Sequence, residues 1–509
     1  MSTSSESAGT SSKGITTDAS ALAGTGIEGL NNVLQGGLPR HRLYLVQGDP
    51  GVGKTTLALQ FLLAGVKKGE RGLYITLSET KEELLAVAES HGWSLEGLDI
   101  FELVANEEQL KAEALNTLFH PAEVELTEVT QTLLDEAERV QPSRIVFDSL
   151  SELRLLAQSP LRFRRQILAL KQHFARREAT VLMLDDRTTT LEGVDELQLQ
   201  SLAHGVIELE HLAPDYGAER RRLRIIKLRG TRYRGGYHDF NIETGGLMVY
   251  PRLVAAEHQQ NFMKGRVASG IEGLDQLLGG GLDCGTCTLL MGAAGTGKST
   301  LASHYAFSAL TRHEPVAQFA FEEGLGTLLA RNAALGMDIE PYRQSGQLLL
   351  QQIDPAELSP GEFAYQIRQA VEQKGVGTVI IDSLSGYLNA MPEERFLLLH
   401  LHELLSYLNQ QGVLTLLIMA QYGLLGNTMQ SPVDVSYLAD TVILLRHFES
   451  EGAIRQAISV VKKRSGNHER TIREYRISDR GIQVGEPLRQ FQGVLTGVPE
   501  YVGKQQPLL

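Results

Sequence analysis

The chain has 509 residues, 42% of them hydrophobic and 21% charged, enough apolar material for packed cores but too much chain for one; roughly 100–200 residues per domain gives an expectation of about two to four domains. A formal net charge of −13 gives a polyanion no general attraction, which argues against non-specific nucleic-acid binding and leaves only a local basic patch for that role. No apolar run reaches the roughly 18 residues needed to cross a bilayer, Val413 to Ala420 being the best, so no membrane association is expected.

Taken in chain order, the first 22 residues are rich in Ser and Thr from Ser2 to Ser20 and hold no basic segment followed by an apolar run. They read as a flexible tail of a cytoplasmic protein and not as a signal peptide. From Ala23 onward the dominant feature is a duplication. Thr25-Gly-Ile-Glu-Gly-Leu30, Gly36-Gly-Leu38, an apolar strand and Gly48-Asp-Pro-Gly-Val-Gly-Lys-Thr55 recur as Ser269-Gly-Ile-Glu-Gly-Leu274, Gly280-Gly-Leu282, a strand and Gly292-Ala-Ala-Gly-Thr-Gly-Lys-Ser299. Lys54 and Lys298 stand 244 positions apart, and the flanking residues keep that offset.

The pattern G-x-x-x-x-G-K-[ST] between a strand and a helix is a phosphate cradle, and here it occurs twice. Gly51, Gly53, Gly295 and Gly297 let the backbone N–H groups around Val52, Ala294 and Thr296 wrap an ATP phosphate chain at the positive end of the following helix. Lys54 and Lys298 reach the outer phosphates. Thr55 and Ser299 offer hydroxyls to Mg²⁺, and Thr56 and Thr300 complete the two nucleotide-binding stretches.

Each copy then continues in the same order: a helix, an apolar strand ending in acidic residues (Leu73 to Glu79, Val316 to Glu323), a helical stretch, and the strands Ser143 to Asp148 and Thr378 to Asp382. A further buried strand follows at Thr180 to Leu184 and at Thr415 to Met419. Strands alternating with helices of 10–15 residues imply crossover units and a mostly parallel sheet flanked by helices, an α/β fold of two tandem P-loop NTPase domains. The shorter alternating strands Leu223 to Leu228 and Ala457 to Val461 suggest antiparallel additions at the sheet edge. This places a first domain at 23–252, a linker at 253–266, a second domain at 267–490 and a tail at 491–509. The only cysteines, Cys284 and Cys287, form one C-x-x-C. It reads as a redox pair, as half of a metal site, or, with more weight, as an ordinary stretch leading into the strand before the second glycine loop.

Asp148 and Asp382 each end an apolar strand and precede Ser-Leu-Ser, where a carboxylate can orient Mg²⁺ or its water; the structural alternative is a helix N-cap. Hydrolysis also requires a carboxylate beside the γ-phosphate to activate water. The second domain offers Glu322 and Glu323. The first offers Ser78 and Glu79, and a serine hydroxyl is no base at neutral pH, so either Glu79 takes over or the first site turns ATP over poorly. Two basic strand ends follow, Lys227-Leu-Arg-Gly-Thr-Arg-Tyr233 and Lys462-Lys-Arg-Ser-Gly-Asn-His468. Alternation puts Lys227 with Arg229 and Lys462 with Arg464 on one face, as cations aimed at a neighbouring subunit's γ-phosphate or as solvated basic edges.

Together these residues resemble the KaiC branch of the RecA-like ATPases, from about Ala23 to Gly503. The resemblance is carried by the doubled domain, Phe321-Glu322-Glu323, the Asp-Ser-Leu-Ser runs, Lys227-Leu-Arg-Gly-Thr231 and the tail Phe491-Gln-Gly-Val-Leu-Thr-Gly497. It implies a two-tiered homohexamer with ATP between subunits, slow ATPase activity in the first tier and Ser/Thr autokinase activity in the second. A role in timing or signalling, with a KaiB-like protein or a signalling kinase as partner, follows from the same likeness. It turns the basic strand ends into trans contacts, with Lys227, Leu228, Arg229, Thr231 and Tyr233 in the first domain and Lys462, Lys463, Arg464 and His468 in the second reaching the neighbour's ATP. The family's general base falls on Glu322, also counted as a Mg²⁺ ligand, and on Ser78 in the first domain, with Glu323 and Glu79 in the second carboxylate position. Ser90 matches the base-side serine. The phosphoacceptor pair falls on Ser436 and Tyr437, a departure that leaves Ser436 as the acceptor; Leu335 and Gln456 replace an aromatic and an arginine near the second nucleotide. A RecA/RadA-like DNA-binding ATPase and a nonenzymatic ATP-dependent scaffold are the competing readings.

Overall fold

The computed structural model describes residues 21–103, 121–187, 199–213, 217–389, 396–421, 435–479, 481–495 and 499–503. The chain divides between Arg252 and Leu253 into two compact units. In the first, the strands are β1 (Leu22–Ala23), β2 (Leu38–Pro39), β3 (Leu43–Gly48), β4 (Gly72–Thr76), β5 (Leu98–Glu102), β6 (Arg144–Asp148), β7 (Thr180–Asp186), β8 (Gly205–Leu212), β9 (Arg220–Leu228), β10 (Tyr237–Glu243) and β11 (Gly246–Tyr250). Apart from the small pair β1–β2, they form one sheet of order β11-β10-β9-β8-β3-β7-β6-β4-β5. The pairs from β8 through β5 are parallel and those from β8 to β11 antiparallel, as the sequence predicts for the edge.

β3 is buried along its whole length, as a central parallel strand covered on both faces must be. Its alternate side chains enter different layers: Tyr44 and Val46 pack with the helix Lys54–Val66, while Leu43 and Leu45 pack with the helices Pro121–Val140 and Pro160–Arg176. The second unit repeats the plan with β12 (Arg266–Val267), β13 (Leu282–Asp283), β14 (Cys287–Gly292), β15 (Val316–Ala320), β16 (Leu348–Gln352), β17 (Thr378–Asp382), β18 (Leu414–Ala420), β19 (Thr441–Ser450), β20 (Ala453–Lys463), β21 (Ile472–Ser478) and β22 (Gly481–Pro487). Its large sheet runs β16-β15-β17-β18-β14-β19-β20-β21-β22. Cys284, just after β13, and Cys287, the first residue of β14, are free thiols, Cys287 fully buried with its thiol pushed up by burial. The tail folds back on this unit: Phe491 meets Phe448 edge to face at 5.5 Å, beside buried Val494. Among the described residues no helix is long and apolar enough to cross a membrane.

In both sheets the parallel strands end on one edge. β3 and β7 finish opposite each other, Gly48 against Asp186, and β14 and β18 likewise, Gly292 against Ala420. Loops leaving that carboxyl edge converge, which is where an α/β sheet holds a ligand. β9 and β20 run the other way, so their last residues lie at the opposite end: Leu228 pairs with Gly205 and Lys463 with Thr441.

Candidate nucleotide sites

Each glycine loop leaves its strand at the carboxyl edge and opens a helix, Lys54–Val66 or Lys298–Thr311. Gly53 and Gly297 stand at the helix N-caps with φ of 107° and 83°, a left-handed backbone that suits glycine. A Cβ at Gly53 would lie 2.6 Å from Ile242 Cδ1, and one at Gly297 2.4 Å from Ile477 Cδ1, so the loops also need glycine for space. Gly51 and Gly295 are left-handed as well, with φ of 78° and 77°. Val52 and Thr296 are buried beneath the loops and Ala294 is exposed. The Thr296 carbonyl accepts from Tyr475 Oη of β21.

In the first site Lys54 is buried, its Nζ donating to the carbonyls of Gly48 at 2.9 Å and Asp49 at 2.8 Å and pairing with Asp186 Oδ1 at 2.7 Å. Thr55 Oγ1 donates to Asp148 Oδ2 at 3.1 Å, and Tyr74 Oη donates to the same oxygen. Burial holds the Asp148 carboxyl above the usual range despite those donors. Ser78 is exposed and Glu79 half-buried. Both lie beyond the end of β4, which is shorter than the predicted strand. Thr76 stops it by accepting from Glu79 N at 2.9 Å and donating to Glu79 O at 2.6 Å, which turns the chain towards the capped helix Lys81–Ser90. Glu79 Oε2 is buried without a hydrogen-bond partner among the described residues; burial, then the Asp148 and Glu83 charges, raise its carboxyl.

The second site has the same frame and a different charge arrangement. Lys298 Nζ donates to Ala293 O at 2.8 Å, and burial lowers its ammonium. Ser299 hydrogen-bonds Asp382, whose carboxyl is pushed up to about 6 by burial; Asp382 Oδ2 has no hydrogen-bond partner among the described residues. Ser383 Oγ donates to Glu322 Oε1 at 2.6 Å while accepting from Gly386 N at 3.1 Å, so Glu322 is oriented although exposed. Glu323 is held by a two-pronged pair with Arg331 at 3.1 and 2.9 Å, and Arg331 Nη1 leans on Thr300 Oγ1 at 3.5 Å. Thr56 and Thr300 are both buried in the first helical turn.

The basic strand ends are not at these edges. Lys227 pairs with Val206 and so stands level with Leu45, and Lys462 stands level with Leu289, each three residues before the last residue of its P-loop strand. At about 3.3 Å per residue this is about 10 Å along the sheet. Lys227 Nζ donates to Gln200 O at 2.6 Å and Arg229 Nη2 to Ser201 O at 3.2 Å. Leu228 is buried, Thr231 is half-buried, and Tyr233 Oη donates to Ile226 O at 3.4 Å. In the second unit Lys462 Nζ donates to the carbonyls of Ser436 and Ala439, both at 2.8 Å, and Arg464 Nη2 to Tyr437 O at 3.0 Å. Lys463 turns the other way as strand alternation requires, with its Nζ on the carbonyls of Leu278 at 2.6 Å and Gly281 at 3.1 Å. Ser436 and His468 are half-buried at this end. Ser90 ends its helix, exposed, donating to Val87 O at 2.7 Å. Leu335 and Gln456 are the C-cap of Leu325–Ala334 and a β20 residue facing Tyr475.

Sequence reasoning passed over Asp186, Arg331 and Ser383. Two of the three left a signal: Asp185-Asp186 closes a predicted strand with acids, as Asp148 does, and Ser383 belongs to the Asp-Ser-Leu-Ser run already singled out. Arg331 left none.

A family model described as ATPase: KaiC matches residues 23–254 and again 267–489. The circadian clock oscillator protein KaiC of Parathermosynechococcus lividus is 28% identical over 482 residues, covering 93% of this chain and 87% of that protein. Its namesake from Synechococcus elongatus is 27% identical over 480 residues, 93% and 91% of the two chains. The circadian clock protein KaiC3 of Synechocystis is 27% identical over 489 residues, 95% of each.

Proposed function

Because the chain belongs to the KaiC family of ATPases, we propose that it hydrolyses ATP at both glycine loops as a homohexameric ring and phosphorylates itself on Ser436. Each nucleotide would lie between one subunit's loop and the next subunit's basic strand end. The observation that carries this reading is the division of the parts between two ends of the sheet. Lys54 and Lys298 stand at the carboxyl edge, and Lys227, Arg229, Lys462 and Arg464 about 10 Å back along the strands. A phosphate held by Lys298 is beyond the reach of its own Lys462, whereas a ring brings one subunit's loop to its neighbour's opposite end. Ser436, whose carbonyl accepts from Lys462, would travel to the neighbouring site with it.

The residues fit the chemistry. Backbone N–H groups of the two loops bind the phosphates, and Lys298, desolvated, takes their charge. Thr55 with Asp148 and Ser299 with Asp382 have the hydroxyl and carboxylate that Mg²⁺ takes beside a nucleotide, and the unpartnered Asp382 Oδ2 is a ligand atom in waiting. When bound, Mg²⁺ supplies neutralisation of the charge on the outer phosphates. Glu322 has Oε1 fixed by Ser383, leaving Oε2 to take the proton of the attacking oxygen, from water in hydrolysis or from the Ser436 hydroxyl in autophosphorylation. Glu323, its charge offset by Arg331, orients this arrangement rather than taking the proton. In the first domain Glu79 is the base, raised by burial and free at Oε2, and does the work more slowly for want of the carboxylate that Ser78 does not supply. A timing or signalling role, with a KaiB-like protein or a signalling kinase as partner, completes the proposal.

Mass spectrometry of the protein incubated with Mg²⁺ and ATP tests it in one measurement, because it reads hexamer mass and phosphate on Ser436 together. The Glu322→Gln variant is expected to keep the hexamer and lose the phosphate. Unchanged phosphate incorporation and ATP turnover in that variant would show that the base is assigned wrongly, and hexamers without any phosphate release would make the protein a scaffold.

A further inference from the structure

The ammonium of Lys54 has no hydrogen to spare. Its three donors are matched by the carbonyls of Gly48 at 2.9 Å and Asp49 at 2.8 Å and by Asp186 Oδ1 at 2.7 Å. Asp186 is the last residue of β7, and its other oxygen accepts from Ser151 Oγ at 3.3 Å. Its side chain is 34% exposed, so the pair is shielded but can be reached from the loop.

The second site holds the same frame without the carboxylate. Ala420 takes the place of Asp186, opposite Gly292. Ser385, the counterpart of Ser151 in the second Asp-Ser-Leu-Ser run, accepts from Ala420 N at 3.2 Å. Lys298 has its carbonyl partner at 2.8 Å, and among the described residues no carboxylate pairs with it. The charge around the two lysines differs accordingly. Asp148, Asp186 and Glu79 act at the first site and Lys54 is paired with Asp186, whereas Asp382 and Glu322 act on Lys298 through space without pairing with it, and Arg331 offsets Glu323.

We infer that Asp186 makes the first site favour a nucleoside diphosphate over a triphosphate, by holding the side of Lys54 that the terminal phosphate needs, and that the second site, with Ala420, lacks this bias. The inference rests on the reading that both loops hold adenine nucleotides. The loop's backbone N–H groups cradle the α- and β-phosphates and its lysine reaches the β- and γ-phosphates, so a diphosphate asks less of Lys54 than a triphosphate does and can leave part of the Lys54–Asp186 pairing in place. A triphosphate must displace the pair, and the released carboxylate, still tethered to Ser151, then faces a like-charged phosphate in a partly dry site. Like charges juxtaposed in this way cost about a tenfold change in affinity or more.

The test uses the full chain in two backgrounds, Lys298→Ala to leave only the first loop and Lys54→Ala to leave only the second. ADP and a non-hydrolysable ATP analogue compete in each with a fluorescent nucleotide in the presence of Mg²⁺. The preference for diphosphate is expected to be about tenfold greater at the first loop than at the second. Adding Asp186→Asn to the first background should move its preference about tenfold towards the triphosphate, and adding Ala420→Asp to the second should move it about as far the other way. The second arm decides the matter if Asp186→Asn fails to fold. Nucleotide binding with preferences that neither substitution moves would overturn the inference and leave the binding reading standing. No binding of either nucleotide in either background would remove the reading itself, and the inference with it.

Discussion

If each active interface takes its loop from one copy and its cations from the next, two inactive variants should repair each other. One partner is Lys298→Ala, which keeps the basic strand end; the other is Lys462→Met with Arg464→Met, which keeps the loop. The gap of about 10 Å between Lys462 and Gly292 exceeds what a lysine side chain spans, so neither variant can serve its own site. Loss of a trans cation of this kind costs about 10³–10⁵ in rate, so each variant alone should show second-domain turnover at background. In an equal mixture that exchanges subunits freely, an interface works only when its loop comes from the second variant and its cations from the first. Chance gives that arrangement to about one quarter of interfaces in a closed ring. The assay is phosphate release and Ser436 phosphorylation in both proteins before and after mixing, with Lys54→Ala in both chains to silence the first domain. A mixture no more active than its components, when native mass spectrometry shows mixed hexamers, would refute the trans arrangement. Residual activity of the Lys462/Arg464 variant as a dilute monomer would refute it equally.

With Lys298→Ala in place so that only the first loop turns over, Glu79→Gln should lower phosphate release by about 10²–10⁴-fold, the usual worth of a positioned base, whereas Ser78→Glu should raise it; an unchanged rate in the former would remove Glu79 from the mechanism. His238 provides a pH prediction. It is buried in a neutral form, one nitrogen facing Arg234 O at 3.0 Å and the other accepting from Arg252 N at 2.9 Å, and burial lowers it from 6.5 to about 4. Between those values the unfolded chain takes up a proton that the folded one refuses, so stability is present at neutral pH and is lost as pH falls. The first unit should lose about 2 kcal/mol between pH 7 and pH 5 in urea titrations. A His238→Gln variant should lose that dependence, and an equal slope in both proteins would contradict the assignment.

The parts of the site that read directly from sequence are those whose chemistry is local. A glycine loop followed by Lys and Ser or Thr works through its own backbone, and an Asp closing an apolar strand sits where the strand puts it. So Lys54, Lys298, Asp148 and Asp382 were legible, as was the sheet that carries them. The Lys54–Asp186 pair joins residues far apart in the chain and exists only because β7 lies beside β3, an order that strand patterns do not state. Arg331 meets Glu323 across a turn and a helix N-terminus, Glu323 lying before the helix Leu325–Ala334 that carries Arg331, so the contact depends on how the chain turns between them and not on the period of one element. The acidic residues after β4 and β15 were read as strand, but the Thr76 hydroxyl closes a local turn that ends β4 first. The inward Lys463 shows the converse: alternation separates it from Lys462 and Arg464, while its landing on the carbonyls of Leu278 and Gly281 depends on tertiary packing.

Ile242 and Ile477, each filling the space where Gly53 and Gly297 lack a side chain, give the antiparallel rim of each sheet a mechanical part. The methyl ends rest where a Cβ would stand at 2.6 and 2.4 Å, and Tyr475 adds a hydrogen bond from the rim to Thr296. Close-packed atoms transmit displacement rather than absorb it. A glycine loop that tightened around its load would therefore press on β10 or β21, and the outermost hairpin would be the lever arm by which an occupied pocket is felt on the exterior of its own domain.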